Sequence, residues 1–290
     1  MSERCCELSE AAGESLGATA TTSRSWLLVE VPGAWSRDVG DDGVLPPAAH
    51  DAVTTWLAGR PGSRLLFVRR GDRRRRVDVA ERAASGLLSF VVQGDEGRGE
   101  VRRLELRSHE DLVDADLDRD GALHDSSLVL VCGHGTRDLC CARRGPAVFA
   151  SLAERLPGEE LWISSHHGGH RFAANVLVLP AGLQFGRVEP GEAPSLVERA
   201  LAGRIELVRY RGRSCYESAV QAAERAVREE AVVDGVDELR LVDAEDGIVR
   251  FRTWDGSEYA VSVEEVAGPS VPASCGAEAE PQRTFVATLL

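Results

Sequence analysis

The stretch that decides the fold is Ser127-Leu-Val-Leu-Val131, which runs directly into Cys132-Gly-His-Gly-Thr-Arg-Asp-Leu-Cys-Cys141. The first five residues form a short apolar run, which is typical of a strand buried on both faces. Pro146 predicts the first turn of a helix, where its missing N–H group costs nothing. Apolar residues then recur at four-residue spacing at Val148, Leu152 and Leu156. The segment therefore predicts a buried strand, a loop and an amphipathic helix.

The residues that follow extend this unit. Their pattern predicts a strand at Leu161–Ile163, a loop at His166–Phe172, a strand at Asn175–Leu179, a hairpin arm at Gln184–Val188 and a helix at Ala193–Leu201. The order of strand, helix, strand, loop, hairpin and helix matches the thioredoxin-like pattern. We therefore expect an α/β fold with a thioredoxin-like lobe at residues 121–203.

Two further parts flank this lobe. Residues 1–120 predict a smaller α/β lobe, in which strand patterns alternate with a helix pattern at Pro47–Leu57. Residues 204–290 predict a small α+β segment that ends in a flexible tail, because the chain is rich in Pro, Ala, Ser and Glu from Gly268 onward.

An arginine run at Arg69–Arg76 lies between two strand patterns, Arg64–Val68 and Val77–Val79. This arrangement predicts a hairpin whose arginines extend from a solvated tip. The alternative is a docking patch for an acidic redox partner.

Composition excludes several classes of function. The chain has 290 residues, with 34 Lys and Arg against 47 Asp and Glu, so its net charge of −13 disfavours nucleic acid as a partner. Apolar runs such as Leu87–Val92 are too short to cross a membrane, which takes about 18 residues or more. The first residues lack a secretory pattern, so we expect a cytoplasmic protein whose seven cysteines are thiols or metal ligands.

Four metal-binding side chains fall on two loops of the second lobe. Cys132 and Cys141 have C-x8-C spacing, and His166 and His170 have H-x3-H spacing. Each loop follows one of two strands that we expect to be parallel neighbours, so the loops meet at one edge of the sheet. Two thiols and two imidazoles at one edge predict a metal site.

Two alternatives follow from the same residues. Cys2His2 donors are typical of structural zinc, although the x8 gap is wider than the usual spacing of zinc cysteines. This alternative is a zinc-stabilised interaction protein. A thiol-disulfide oxidoreductase is less favoured, because the chain has no C-x-x-C motif and the adjacent Cys140 and Cys141 have poor geometry for a disulfide.

The sequence resembles the sucrase/ferredoxin-like family. The resemblance rests on Cys132–Ala142, Ser165–Asn175, the hairpin Pro180–Val188 and the early stretches Arg4–Cys5, Ala12–Gly13 and Gly17–Ala20. It implies a thioredoxin-like ferredoxin lobe with a 2Fe-2S cluster. In bis-histidinyl members the ligand pattern falls on Cys132, Cys141, His166 and His170. Cys140 and His167 adjoin these ligands as alternatives, and we interpret His134 as a neighbour of the ligand set.

The resemblance implies an electron-transfer or redox-sensing protein with an unknown redox partner protein. We expect a carrier rather than an enzyme, and we identify no pair of carboxylates suited to glycoside hydrolysis. Four arginines near the ligands could steer an acidic partner: Arg137, Arg143, Arg144 and Arg171.

Overall fold

A computed structural model of the chain describes residues 4–41, 43–71, 86–156 and 158–290. The helices in these ranges are α1 (Cys5–Ala11), α2 (Pro47–Ala58), α3 (Leu139–Leu152), α4 (Ala193–Leu201) and α5 (Ser218–Ala231). The first strands are β1 (Ser25–Glu30), β2 (Arg64–Arg69), β3 (Leu87–Asp95), β4 (Arg98–Leu106), β5 (Ala122–Leu123), β6 (Leu128–Cys132) and β7 (Leu161–Ser164). The remaining strands are β8 (Val176–Leu179), β9 (Leu183–Phe185), β10 (Tyr210–Arg213), β11 (Leu239–Glu245), β12 (Ile248–Thr253), β13 (Glu258–Pro272) and β14 (Ala279–Leu289). The predicted α/β class is confirmed.

Ten strands form one sheet in the order β10-β9-β8-β6-β7-β2-β1-β3-β4-β5. β6 and β7 are parallel, β8 runs antiparallel to β6, and β9 runs antiparallel to β8. Helix α3 connects β6 to β7, and α4 follows β9. The predicted order of strand, helix, strand, hairpin and helix is therefore confirmed.

The first part of the chain repeats this topology. β1 and β2 are parallel and joined through α2, β3 runs antiparallel to β1, and β4 runs antiparallel to β3. We call β1–β4 with α2 the N half, and β6–β9 with α3 and α4 the C half. The halves meet where β2 pairs antiparallel with β7, so the sheet is continuous across the predicted boundary at residue 120.

The two faces of this sheet are buried differently. On one face, α2 packs over the N half, while α3 and α4 pack over the C half. The opposite face has a single core shared by both halves, which contains Trp26, Phe90 and Trp162. The sheet curls around this core and brings β3 close to the β8–β9 turn. The two approach so closely that a Cβ atom at Gly94 would lie 2.4 Å from the carbonyl oxygen of Pro180.

The C-terminal part of the chain forms a second sheet. Strand β10 joins the large sheet beside β9, and the helix predicted at residues 217–230 is confirmed as α5. Helix α5 packs against an antiparallel sheet in the order β11-β12-β13-β14. The structure differs from the predicted flexible tail, because residues 279–289 pair with β13 and satisfy their backbone hydrogen bonds there.

A second difference concerns the start of α3. Pro146 lies inside the helix rather than in its first turn. The helix begins at Leu139, because the side chain of Asp138 accepts a hydrogen bond from the Cys140 N–H group and caps the first turn. Most of the arginine-run hairpin lies outside the described residues. Across the described ranges, every helix is too short or too polar to span a membrane.

Candidate metal centre

Two parallel strands carry the predicted ligands to one edge of the large sheet. β6 ends at Cys132, which lies opposite Ser164, the last residue of β7. Because parallel strands end at the same edge, the loops that follow these two residues leave the sheet side by side. The predicted parallel pairing of the two strands is therefore confirmed.

Helix α3 brings the second cysteine to this edge. Cys141 lies in its first turn, which Asp138 caps. A Cβ atom at Gly145 would lie 2.1 Å from the carbonyl oxygen of Cys132, so only glycine allows α3 to pack this closely against the end of β6. The cap and the close packing together set Cys141 beside Cys132.

The loop after β7 is held by a buried arginine that the sequence pattern does not reveal. Arg211 donates from Nη1 to the carbonyl oxygen of Gly168 at 3.0 Å and to Oδ1 of Asn175 at 2.9 Å. Asn175 donates in turn to the carbonyl oxygen of Gly169 at 2.9 Å. Gly169 has a φ of 71°, a conformation that favours glycine. These contacts fix the backbone just before His170.

Three of the four predicted ligands have their donor atoms close together. The donor atoms of Cys132, Cys141 and His166 all lie within 4.8 Å of one another. The Cys132 Sγ atom is 3.9 Å from Nδ1 of His166. His170 lies just outside this group, with its Nδ1 atom 3.3 Å from Nε2 of His166 and its Nε2 atom 3.8 Å from Oδ2 of Asp138.

The two thiols differ in acidity. The neighbouring Cys141 thiol holds the pKa of Cys132 well below its usual range despite burial. The neighbouring Cys132 sulfur, together with burial, holds the pKa of Cys141 well above its usual range. Burial lowers the pKa of His170 and keeps its imidazole neutral, which is the form that binds metals.

The neighbouring residues of the ligands face in different directions. The Nδ1 atom of His134 accepts from the backbone N–H group of His166 at 3.1 Å, and its Nε2 atom contacts the carbonyl oxygen of Ser36 at 2.7 Å. Both ring nitrogens of His134 are therefore engaged. His167 is fully buried, burial lowers its pKa to about 4, and neither ring nitrogen has a hydrogen-bond partner among the described residues. His167 therefore stays an alternative ligand.

Cys140 belongs to a second group of potential ligands. Its sulfur lies with those of Cys5 and Cys275 and with the carboxylate of Asp138, and their donor atoms are all within 4.8 Å of one another. We call these four residues the thiol-carboxylate cluster. Sequence reasoning missed it, although successive residues of a helix point about 100° apart, so Cys140 and Cys141 have to serve different surroundings.

The donor set at Cys132 fits an iron-sulfur cluster chemically. Thiolates and neutral imidazoles are established ligands of 2Fe-2S centres and also of zinc. Arg211 is buried near Cys132 and Cys141, so its guanidinium would stabilise the negative charge of thiolate ligands at this site. The ring of His167, which has no hydrogen-bond partner in the described part of the chain, adds a further potential ligand.

Several curated proteins similar to this chain come from yeasts. Altered inheritance of mitochondria protein 32 is 35% identical over 95 residues in Debaryomyces hansenii, which cover 29% of this chain and 35% of that protein. The Clavispora lusitaniae protein is 36% identical over 95 residues, covering 30% and 35%. The Saccharomyces cerevisiae protein is 35% identical over 96 residues, covering 29% and 31%. The chain thus spans about a third of the length of the relatives it matches.

A solved structure and a family also match. A cysteine-to-serine variant of the thioredoxin-like 2Fe-2S ferredoxin from Aquifex aeolicus is 22% identical, with a TM-score of 0.25, and the match covers 29% of this chain and 96% of that protein. So low a TM-score does not establish a shared fold. The family described as sucrase/ferredoxin-like matches residues 16–212, which is more than half of the chain. The chain therefore belongs to the sucrase/ferredoxin-like family.

Proposed function

We propose that this chain binds a 2Fe-2S cluster through Cys132, Cys141, His166 and His170, and that it serves in electron transfer or redox sensing. The observation that carries the proposal is the gathering of Cys132, Cys141 and His166 at one edge of the sheet, with His170 beside them. Membership of a family described as ferredoxin-like supports the same cofactor.

The ligand set determines how easily the site takes up an electron. When bound, a 2Fe-2S cluster supplies a one-electron redox centre. Two neutral imidazoles in place of two thiolates remove about two negative charges from the ligands, which favours reduction. Arg211, which is buried beside both sulfurs, stabilises negative charge at the site. We expect a reduction potential above the roughly −400 mV of plant-type ferredoxins.

A redox partner protein remains part of the proposal. Of the four arginines near the ligands, Arg137 pairs with Asp38, Arg144 pairs with Glu10, and Arg171 pairs with the buried Glu14. Arg143 is exposed. These pairs reduce the charge available to steer an acidic partner, so Arg143 is the arginine with which we expect such a partner to interact first. We infer a carrier or sensor rather than a catalyst.

The test is the composition and spectrum of protein purified without oxygen. We expect iron and acid-labile sulfide in equal amounts, a reddish-brown colour and an EPR signal on reduction. Cys132→Ser removes a sulfur ligand and should abolish all of these signals. Cys215→Ser is the matched control, because Cys215 is also buried but packs against α5 and the second sheet. Iron retained in Cys132→Ser at the control level would contradict the proposed ligand set.

Zinc is the second candidate for the same donors. Three donor atoms within 4.8 Å of one another also suit a single tetrahedral ion. Such a site would stabilise an interaction protein, and the purified chain would be colourless, with zinc and no labile sulfide. A thiol-disulfide oxidoreductase would keep its activity after metal removal, which separates the third and least favoured candidate.

A further inference from the structure

Three cysteines from distant parts of the chain meet beside the proposed cluster site. Cys5 lies in the first turn of α1, Cys140 in the first turn of α3, and Cys275 in the turn between β13 and β14. Cys5 and Cys275 are 270 positions apart in the sequence, and their sulfurs are 3.6 Å apart. The fold therefore brings both ends of the chain to the start of α3.

The distances within the thiol-carboxylate cluster suit one tetrahedral ion. The sulfur of Cys140 lies 3.5 Å from that of Cys5 and 3.4 Å from that of Cys275. Metal–sulfur bonds of about 2.3 Å in a tetrahedron separate two sulfurs by about 3.8 Å. The Oδ1 atom of Asp138 supplies the fourth corner, 3.5 Å from the Cys275 sulfur and 3.9 Å from the Cys5 sulfur.

The fourth ligand is already held in place. The side chain of Asp138 is buried, and its Oδ1 atom accepts from the Cys140 N–H group at 2.8 Å while its Oδ2 atom accepts from the Cys275 N–H group at 3.0 Å. Each carboxylate oxygen keeps a lone pair after these bonds. Backbone hydrogen bonds of this kind orient metal-binding carboxylates.

The burial pattern also suits an ion with access from solvent. Cys5 and Cys140 are fully buried, whereas Cys275 is partly exposed in its turn. The carboxylate of Asp138 already caps α3, and its position among three thiols also suits it to bind a cation. A disulfide between any two of the sulfurs would leave the third thiol unpaired, whereas one metal ion engages all three.

We infer that Cys5, Cys140, Cys275 and Asp138 bind a zinc ion that fastens both ends of the chain to the first turn of α3. Thiolates with one carboxylate suit zinc, which is tetrahedral in structural sites. The site uses none of the four ligands proposed for the 2Fe-2S cluster. Because Cys140 and Cys141 are adjacent, one turn of α3 would carry a ligand for each centre, and zinc would hold that turn in position.

The experiment measures zinc, iron and labile sulfide together in the full-length protein. Wild type, Cys275→Ser, Cys140→Ser and the control Cys215→Ser are purified without oxygen and incubated with Zn²⁺ alone, and weakly bound metal is then removed by gel filtration. We expect the wild type and the control to keep one zinc ion, which Cys275→Ser and Cys140→Ser both lose. Cys275→Ser should keep iron at the wild-type level. Cys275 lies in a partly exposed turn, so its variant should fold, and circular dichroism checks this.

Cobalt identifies the ligands of this site. Co²⁺ added to zinc-free wild type should give the intense near-ultraviolet absorption of thiolate-bound cobalt, and Cys275→Ser should lose part of it. Co²⁺ absorption that is equal in wild type and Cys275→Ser would overturn the inference.

Several outcomes would overturn the inference. One is that the wild-type protein retains no zinc at this site. Another is that Cys275→Ser and Cys140→Ser retain as much zinc as the control. A third is a disulfide among Cys5, Cys140 and Cys275, found by mass spectrometry of the fresh protein. Loss of iron and sulfide in Cys140→Ser would assign Cys140 to the first centre and remove the second. Zinc without iron, lost in Cys275→Ser, would uphold this site while the 2Fe-2S proposal fails, so the two failures are distinguishable.

Discussion

The N half and the C half have the same strand order but carry different chemistry where their parallel strands end. The first strand ends at Glu30 in the N half and at Cys132 in the C half. Arg70 and His166 occupy matching positions after the second strand of each half. Glu30 and Arg70 form an ion pair at 3.1 Å, whereas the Cys132 sulfur lies 3.9 Å from Nδ1 of His166. The shared edge geometry brings two side chains together whichever chemistry they have.

What distinguishes the halves is the connection from the first strand to its helix. In the N half, residues 31–46 separate β1 from α2, while in the C half residues 133–138 separate β6 from α3. The shorter connection and the Asp138 cap bring a third donor, Cys141, to the edge. A pair of donors becomes a candidate metal centre because the helix starts close to the strand end.

The largest expected effect tests whether the halves form one folding unit. Trp162 of the C half is fully buried in the shared core, in edge-to-face contact with Phe90 of the N half at 5.5 Å. Trp162→Ala should lower the free energy of unfolding by about 3–5 kcal/mol. Chemical denaturation followed by fluorescence and circular dichroism measures it. Trp254→Ala is the control, because Trp254 is exposed. Separate unfolding transitions for the two halves would contradict a shared core.

The next effect tests the Glu30–Arg70 ion pair, which occupies in the N half the positions of Cys132 and His166 in the C half. Glu30 is buried and accepts from Arg70 and from the Leu88 N–H group at 2.9 Å. Glu30→Gln leaves the partly exposed Arg70 without its counter-charge and should cost about 1–3 kcal/mol of unfolding free energy. The iron content should stay at the wild-type level. The control is Glu105→Gln, since Glu105 forms an exposed pair with Arg103. Loss of iron in Glu30→Gln would mean that the N half controls the site.

Local patterns predicted most of the individual elements but not their assembly. Apolar runs and helical spacing identify β6, α2 and α5, because side-chain burial imposes those periods. The joining of the halves through β2 and β7 depends on pairing between distant strands, which no local pattern encodes. β14 was predicted as a flexible tail, because its polar composition does not reveal that β13 lies beside it.

The candidate site was predicted as far as its loops and donor types. The C-x8-C and H-x3-H spacings identify Cys132, Cys141, His166 and His170 by sequence alone. The separation of His170 from the group of three, and the buried support from Arg211, arise from tertiary contacts. The thiol-carboxylate cluster was missed because Cys5 and Cys275 lie more than 130 positions from Asp138 and Cys140 in the sequence.

A third prediction tests the seam between the halves. The carbonyl oxygen of Ser36 in the N half can only accept a hydrogen bond, so His134 carries its proton on Nε2 and accepts from the His166 N–H group with Nδ1. His134→Ala removes this support and should weaken metal binding about 10- to 100-fold. His134→Asn retains an acceptor near the Nδ1 position and should restore part of the affinity, measured by competition with a chelator. Equal losses in the two variants would argue against positioning by this hydrogen bond.

A pH series tests the buried thiol of Cys215, which lies outside both halves. Burial raises the pKa of Cys215 to about 12. The folded state therefore retains a proton that the unfolded state loses above its ordinary pKa near 9, so the contribution of Cys215 to stability is constant below pH 9 and is lost as the pH rises toward 12. The loss is at most about 1.4 kcal/mol per pH unit. Cys215→Ala should reduce the slope of the unfolding free energy against pH between pH 9 and 10. An unchanged slope would exclude Cys215 as its source.

The smallest expected effect separates support for the site from ordinary stability. Trp35 of the N half donates to the Val31 carbonyl oxygen at 3.1 Å, lies under the Arg69 guanidinium and meets the His134 ring edge-on at 5.6 Å. Trp35→Phe keeps a ring but removes one of the two hydrogen bonds to that carbonyl oxygen, which still accepts from the Gly33 backbone N–H group at 3.1 Å, so it should cost about 1 kcal/mol.

Trp56→Phe is the matched control for Trp35→Phe. Trp56 donates to Asp118 at 3.2 Å and lies under Arg60, whereas Trp35 is the one of the two that contacts His134. Both variants lose an indole N–H group and weaken a cation–π contact, so their unfolding free energies should fall by similar amounts. Of the two tryptophans, only Trp35 contacts His134. A small loss of iron affinity in Trp35→Phe alone would show that the Trp35 side chain helps to position the ligands. Identical iron affinity in the two variants would restrict that support to the backbone at Ser36.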